Sequence, residues 1–421
     1  MLEEDKSMPL YRAFPYLYFF GWIFLAIFQY IYNTNYLYEP ILIFFSVTAL
    51  YYSFYVILNY KLPFYFKSLF LFVSVLCAYG YVLIFLGDTV FWKAIGHDLR
   101  KYLYILWLVS SMLSVVPVYV FTCRGWLNKK RMLWIFILLF LLSIYAFYGA
   151  LEIQKSYAAL SKIDQDEYTV TSVYSFLSLM PLLLLLKNKK VVQFALLSVM
   201  LVFFILGAKR GPIFFGGISA IVLTLCMFVG CSIEEKIKLF FIEVLFLVGM
   251  CFFVAYQMSL SPYLSMRFEQ TLEGNTSGRD VYVQTIWNYY LNSLNDRQII
   301  LGVGAQGTLS VNESFAHNDW LAILLENGIL GVFLYSLYWL GFVYTWLKSK
   351  IDKDSFVAIG LLIFIGIGKT IFSMYYLPAT SEMMFSSGCF CIALGYYLGK
   401  AFPQYDIYSE SNDNIFLEKK L

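Results

Sequence analysis

The sequence predicts an all-α, polytopic membrane protein of about 12 transmembrane helices, one transmembrane domain over residues 1–421, with a long external loop between helices 9 and 10. Three observations carry this reading. Apolar residues make up 61% of the 421 and charged residues only 14%, the wrong balance for a surface that meets water. Mean hydropathy is +0.70. The apolar residues fall in runs of the length that a hydrocarbon core of about 30 Å demands, about 20 residues at about 1.5 Å of rise each.

In chain order the predicted spans are 16–31, 41–60, 68–86, 103–121, 132–150, 169–186, 191–207, 212–230, 239–256, 320–347, 355–372 and 383–398. The polar start, residues 1–7, leads straight into the first span, which predicts a retained helix rather than a cleaved signal. Lysine and arginine resist translocation, so their distribution sets the orientation. With the N-terminus inside, nineteen of the 30 basic residues fall on the cytoplasmic side, ten outside, and Lys369 within a span. Inner connections such as Lys187-Asn188-Lys189-Lys190 are short and dense in charge, and both termini are then cytoplasmic. Aromatic residues reach 20%, which fits rings placed at headgroup level. The net charge of +3 sums faces that never act as one surface, and nothing in it points to nucleic acid.

All seven cysteines lie in or beside apolar runs, so no disulfide framework is indicated. The spacing of Cys389 and Cys391 suits packing and not a thioredoxin-like motif. Metal coordination is not expected, because no His, Cys and carboxylate set has ligand spacing. A Ser-His-Asp hydrolase is equally without support, and no cofactor motif is present. Ile299-Ile300-Leu301-Gly302-Val303-Gly304 looks like half a nucleotide-binding signature, but it has no βαβ context. A turn that brings backbone close to another element accounts for it better.

Two external features break the pattern of short connections. One is the turn Gly207-Ala208-Lys209-Arg210-Gly211-Pro212, which carries two cations with almost no loop to take them into water. Held at bilayer depth, each costs on the order of 2.5–3.5 kcal/mol. Gly207, Gly211 and Pro212 would let the chain turn and begin the next helix, whose amides add positive charge, making a diphosphate cradle. Alternatively both side chains snorkel to the headgroups. The other feature is the long external loop, residues 257–319, far larger than any other connection. There Ser277-Gly278-Arg279-Asp280 precedes an amphipathic stretch in which Val283, Ile286, Trp287 and Tyr290 recur at helical spacing, a packing stripe. A cation at a helix start is disfavoured by the dipole, so an anionic partner would explain Arg279, with a salt bridge to Asp280 or Glu273 as the alternative.

His317 is one of two histidines and sits where this loop re-enters the membrane, in Ala316-His317-Asn318-Asp319-Trp320. Imidazole titrates near neutrality, so it can take a proton from a sugar hydroxyl or bond a phosphate. On the other reading Asn318 or Asp319 caps the next helix and His317 is a bystander. Lys369 either reaches the outer interface or faces the same cavity as Arg210.

Taken in order, Lys209-Arg210-Gly211, Ser277-Gly278-Arg279, Trp287, Leu301-Gly302-Val303-Gly304, His317-Asn318 with Leu321, and Glu326-Asn327-Gly328-Ile329-Leu330-Gly331 resemble the O-antigen ligase/polymerase superfamily, the WaaL-type ligases and Wzy-type polymerases. The resemblance covers roughly residues 201–340; elsewhere only the span count agrees. It implies an enzyme of the bacterial inner membrane: a metal-independent, inverting glycosyltransferase acting on undecaprenyl-diphosphate-linked oligosaccharides at the periplasmic face. Arg210, Arg279 and His317 take the family's catalytic positions, and Lys209, Asn318 and Lys369 are expected to bind substrate. No cofactor is implied, and a chain-length regulator and a flippase would be further partners. Repeat-unit polymerisation into O-antigen or capsule is the first expectation and transfer to lipid A–core the second. A transporter for the same saccharides is the third, disfavoured because it would scatter charges through several spans, where only Lys369 is clearly intramembrane.

Overall fold

The computed structural model describes residues 9–31, 35–86, 101–161, 169–229, 231–260, 265–266, 269, 279–304, 307–312, 316–348, 352–376 and 381–403. Among them the chain is helical and contains no strand. The helices are α1 Pro9–Ile31, α2 Asn35–Asn59, α3 Phe64–Leu86, α4 Lys101–Leu113, α5 Val115–Cys123, α6 Lys129–Ser161, α7 Val173–Leu179, α8 Lys190–Leu206, α9 Arg210–Phe228 and α10 Ile233–Leu260. They continue as α11 Arg279–Asn292, α12 Asp296–Leu301, α13 Gly307–Asn312, α14 Asp319–Lys348, α15 Lys353–Phe372 and α16 Ser381–Ala401. Most of the described residues in the predicted spans are helical, with a 3-10 stretch at Met180–Leu186. Seven stretches, in α2, α4 with α5, α6, α9, α10, α14 and α15, are long and apolar enough to cross a membrane.

The side chains agree with an apolar solvent. Of the 28 residues of α10 only Leu239 is buried, while Leu245 and Phe252 are 74% and 73% exposed. An apolar surface of that extent is unsustainable in water. Serines in these helices return their hydroxyls to carbonyls one turn back: Ser53 to Ala49 at 2.7 Å, Ser178 to Tyr174 at 2.8 Å and Ser198 to Phe194 at 2.9 Å. This is how a hydroxyl is satisfied where no water reaches.

The chain divides into two compact units. The first takes its described residues from 1–142, 333–359 and 376–421. Its core is aromatic: Trp22 stacks on Phe45 at 4.1 Å, and Tyr18 donates to the carbonyl of Ser114 at 3.2 Å. Cys389 and Cys391 are buried, and the Cys391 thiol donates to the Ser111 carbonyl at 3.0 Å, so both serve packing.

The second unit comprises residues 143–332 and 360–375. After α7 the chain tightens into a 3-10 helix, Met180–Leu186, with Pro181 in its first turn; proline supplies no N–H to an α-helical ladder. The long connection is itself mostly helical where described, as α11, α12 and α13. Its amphipathic stripe holds only in part: Ile286 and Tyr290 are buried, whereas Val283 and Trp287 are exposed.

The Gly302-Val303-Gly304 turn finds its partner inside α14. At Gly328 the backbone leaves helical geometry, with φ 63° and ψ −162°, which frees carbonyls of the preceding turn. Val303 N–H donates to Leu325 C=O at 2.9 Å and Gly304 N–H to Glu326 C=O at 3.0 Å. The approach is so close that a Cβ on Gly328 would lie 2.3 Å from the Ile300 carbonyl oxygen. Below the turn, Thr308 donates to the buried Glu326 carboxylate at 3.1 Å. The break in α14 and the glycine turn are thus one interlocked feature. Gly328→Ala combines a positive φ with backbone overlap and is expected to cost at least about 1–3 kcal/mol. Gly217→Ala, where an added Cβ meets nothing within 4 Å, should cost nothing, and thermal melts of the detergent-purified variants compare the two.

Candidate functional site

The cluster of interest lies wholly in the second unit and is organised by the C-terminal end of α15. Asp319, the first residue of α14, is completely buried and accepts the Tyr375 N–H with both carboxylate oxygens, at 3.1 and 3.0 Å. Trp320 Nε1 donates to Thr370 Oγ1 at 3.0 Å. Asn318 Oδ1 accepts from the amides of Trp320 and Leu321 at 3.0 and 3.2 Å, the cap that the sequence allows. The start of α14 is therefore held from its own side and from α15.

Directly before that anchored cap, His317 adopts φ 50°, in the left-handed region. Among the described residues only one other non-glycine shares this feature: Ala208, at φ 48°, directly before Lys209 and Arg210. Such conformations cost on the order of 1–2 kcal/mol each and persist where surrounding structure enforces them, often at functional sites. Both lie at residues that the sequence singles out.

Arg279 is the first residue of α11, as its position in the sequence suggests. Its Nη1 donates to the carbonyl of Phe372 at 3.0 Å, the last residue of α15. A cation there meets the negative end of the helix dipole and an open carbonyl, so a helix C-terminus supplies a favourable partner. Glu273, the other acid weighed for this role, lies outside the described residues, as do Ser277, Gly278 and His97.

The turn between α8 and α9 is built differently from the sequence expectation. Gly207 has an ordinary helical φ of −76°, and the left-handed step falls on Ala208. The glycines serve close approach: a Cβ on Gly207 would lie 2.4 Å from Val173 Cγ1, and one on Gly211 would lie 2.5 Å from the Tyr174 hydroxyl. Val170 N–H donates to the Gly207 carbonyl at 3.1 Å, tying the start of α7 to this turn. Lys209 is then the N-cap residue of α9 and Arg210 its first residue.

Tyr174 links these parts. Its hydroxyl hydrogen-bonds with Ser373 and lies within electrostatic reach of Arg279. Lys369 is buried, 4% exposed, with its ammonium 5.6 Å from the Tyr174 ring centre and 5.9 Å from that of Tyr375. Cation–π contact of this kind offsets part of the cost of burial. Lys369 is thus buried among aromatic rings rather than extended to the outer interface. No family model matches the chain, and no characterised protein matches it in sequence.

His317 reads the charge of this neighbourhood. Burial first, then the charges of Arg279 and Lys209, hold its imidazole below the ordinary histidine range. These influences favour the neutral ring, which can accept a proton, with cations beside it suited to an anion. Asn318 can offer only its amide N–H groups to a ligand without giving up the cap. Among the described residues no group of three or more His, Cys, Asp or Glu could hold a metal.

Tyr174 and Ser373 complete the cluster, and nothing in their spacing marks them; Asp319, read from the sequence as an alternative cap, instead accepts the Tyr375 amide. Glu243, within the apolar run of α10, and Glu326, within α14, do carry a sequence signal, since both are carboxylates inside predicted spans and add to the intramembrane charge of Lys369. Because the chain has two histidines, a His97→Gln background leaves His317 as the only imidazole in an NMR titration. Its pKa should fall below about 6.5 and rise when Arg279→Ala removes a charge that disfavours imidazolium.

Proposed function

We propose that the chain is a polytopic membrane glycosyltransferase that joins undecaprenyl-diphosphate-linked oligosaccharides, extending repeat units into O-antigen or capsular polysaccharide. The observation that carries this reading is the placement of His317, at a left-handed turn beside the anchored start of α14, within electrostatic range of Arg279 and Lys209. The order of motifs and the apolar helices support it. In this reading the protein spans a bacterial inner membrane about twelve times, with both termini cytoplasmic and the site facing the periplasm.

The proposed reaction is a single inverting displacement. The acceptor hydroxyl oxygen attacks the anomeric carbon of the donor, and the bond from that carbon to the diphosphate oxygen breaks. His317 takes the hydroxyl proton, and the diphosphate leaves with the bonding pair. Arg210 and Arg279 bind its oxygens through planar, permanently charged guanidinium groups, which neutralise the charge developing on the leaving group. Lys209 and Lys369 add positive potential, and the Asn318 amide orients a sugar or phosphate oxygen.

Purified full-length protein given a defined lipid-diphosphate-linked repeat unit tests the proposal. A ladder of longer chains that survives chelator supports a metal-independent polymerase. Products that form only when lipid A–core is supplied identify a ligase, and translocation in proteoliposomes without a new glycosidic bond identifies a transporter. Arg210→Ala, Arg279→Ala and His317→Ala should each lower the rate at least about a hundredfold with expression unchanged. Full activity in all three would remove the mechanism.

A further inference from the structure

A second site lies in the first unit, in residues that the glycosyl-transfer reading does not use. A groove of about 910 Å³ runs between α1 and α6, lined by Tyr16, Phe20 and Ile23 on one side and Arg131, Trp134 and Leu138 on the other. Its size falls in the range of ligand pockets, roughly 300–1,000 Å³. Polarity is graded along it. Arg131 and Trp126 stand at one end, and only apolar side chains line the groove toward Ile23 and Leu138. Arg131 and Leu138 are seven residues apart on α6, which separates the two ends by about 10 Å.

The polar end is strongly basic. Arg124, Lys129, Lys130 and Arg131 occur within eight residues, and the sequence has no carboxylate between Asp98 and Glu152. Lys129, Lys130 and Arg131 are exposed. Arg131 donates to the Trp126 carbonyl and has its guanidinium 6.0 Å from the Tyr16 ring centre, which fixes its head at the mouth of the groove. Tyr16 and Trp134 are 60% and 65% exposed, ring types that favour the headgroup level of a bilayer. A basic mouth above an apolar slot, beside a helix long enough to span, matches one amphipathic molecule with an anionic head and a hydrocarbon tail.

We infer that the groove between α1 and α6 is a binding site for an anionic phospholipid, its phosphate at Arg131 and Lys130 and an acyl chain along Phe20, Ile23 and Leu138. Charge complementarity selects this occupant over a neutral lipid, and the apolar slot selects it over free phosphate. The site is independent of glycosyl transfer, so either reading can fail alone.

Native mass spectrometry of the full chain in detergent, titrated with phosphatidylglycerol or with phosphatidylcholine of the same acyl chains, tests it. Phosphatidylglycerol should bind at lower concentration. Arg131→Gln and Lys130→Gln should each weaken it on the order of fivefold while leaving phosphatidylcholine unchanged. Ile23→Trp, or Leu138→Trp should the first variant not fold, fills the slot and should reduce both lipids. Glycerol phosphate, which has the head without the tail, should compete poorly. Equal affinity for the two lipids, insensitivity to the charge variants or to both filling variants, or full displacement by glycerol phosphate would each overturn the site. So would a dimer of the protein that Ile23→Trp dissociates, because the groove would then hold a second copy.

Discussion

The buried carboxylate of Asp319 and the backbone N–H of Tyr375 form the tie on which the candidate site depends. A carboxylate with no exposed surface is costly unless its oxygens are bonded, and here both accept the same amide just beyond the end of α15. The bond fixes where α14 starts relative to where α15 stops, and His317 lies two residues before that start. The same stretch of α15 accepts Arg279 at Phe372, bonds Tyr174 through Ser373 and carries Lys369. One helix end therefore collects groups from α7, α11, α14 and the turn before α9. A pocket assembled around a helix terminus keeps its geometry because the terminus is itself held by side chains.

Gathering cations has a physical consequence. Burial, then Arg279 and Lys209, disfavour a positive imidazole at His317, so the basic groups that suit an anion also favour the neutral form of the base beside them. Like charges brought together also repel one another, and an anion bound among them relieves the repulsion. The two left-handed residues, Ala208 and His317, fall at the two turns that present this charge and this base. Strain at both places is consistent with geometry selected for a task.

Much of the helical architecture was legible in the sequence because it follows from one local property, the length of an apolar run. Arg279 at a helix start and His317 beside a cap were also legible, since residue type and neighbouring residues define those positions. The partners were not. Asp319 and Tyr375 are 56 residues apart, Arg279 and Phe372 are 93 apart, and no periodicity connects them. Glycines misled for a related reason: Gly207 and Gly211 look like turn formers, yet their missing Cβ atoms make room for Val173 and Tyr174 on α7. Tyr174 itself sits in an ordinary apolar run, and its importance comes only from what packs around it. By contrast, Gly302-Val303-Gly304 was readable as a close backbone approach, although the broken turn of α14 that receives it was not.

Hydrogen exchange measured by mass spectrometry on Asp319→Ala tests the tie most directly. Loss of the carboxylate should accelerate amide exchange in residues 316–322 and in residues 370–376 together, because each segment holds the other in place. Acceleration confined to the segment that carries the substitution, with 370–376 unchanged, would contradict the account.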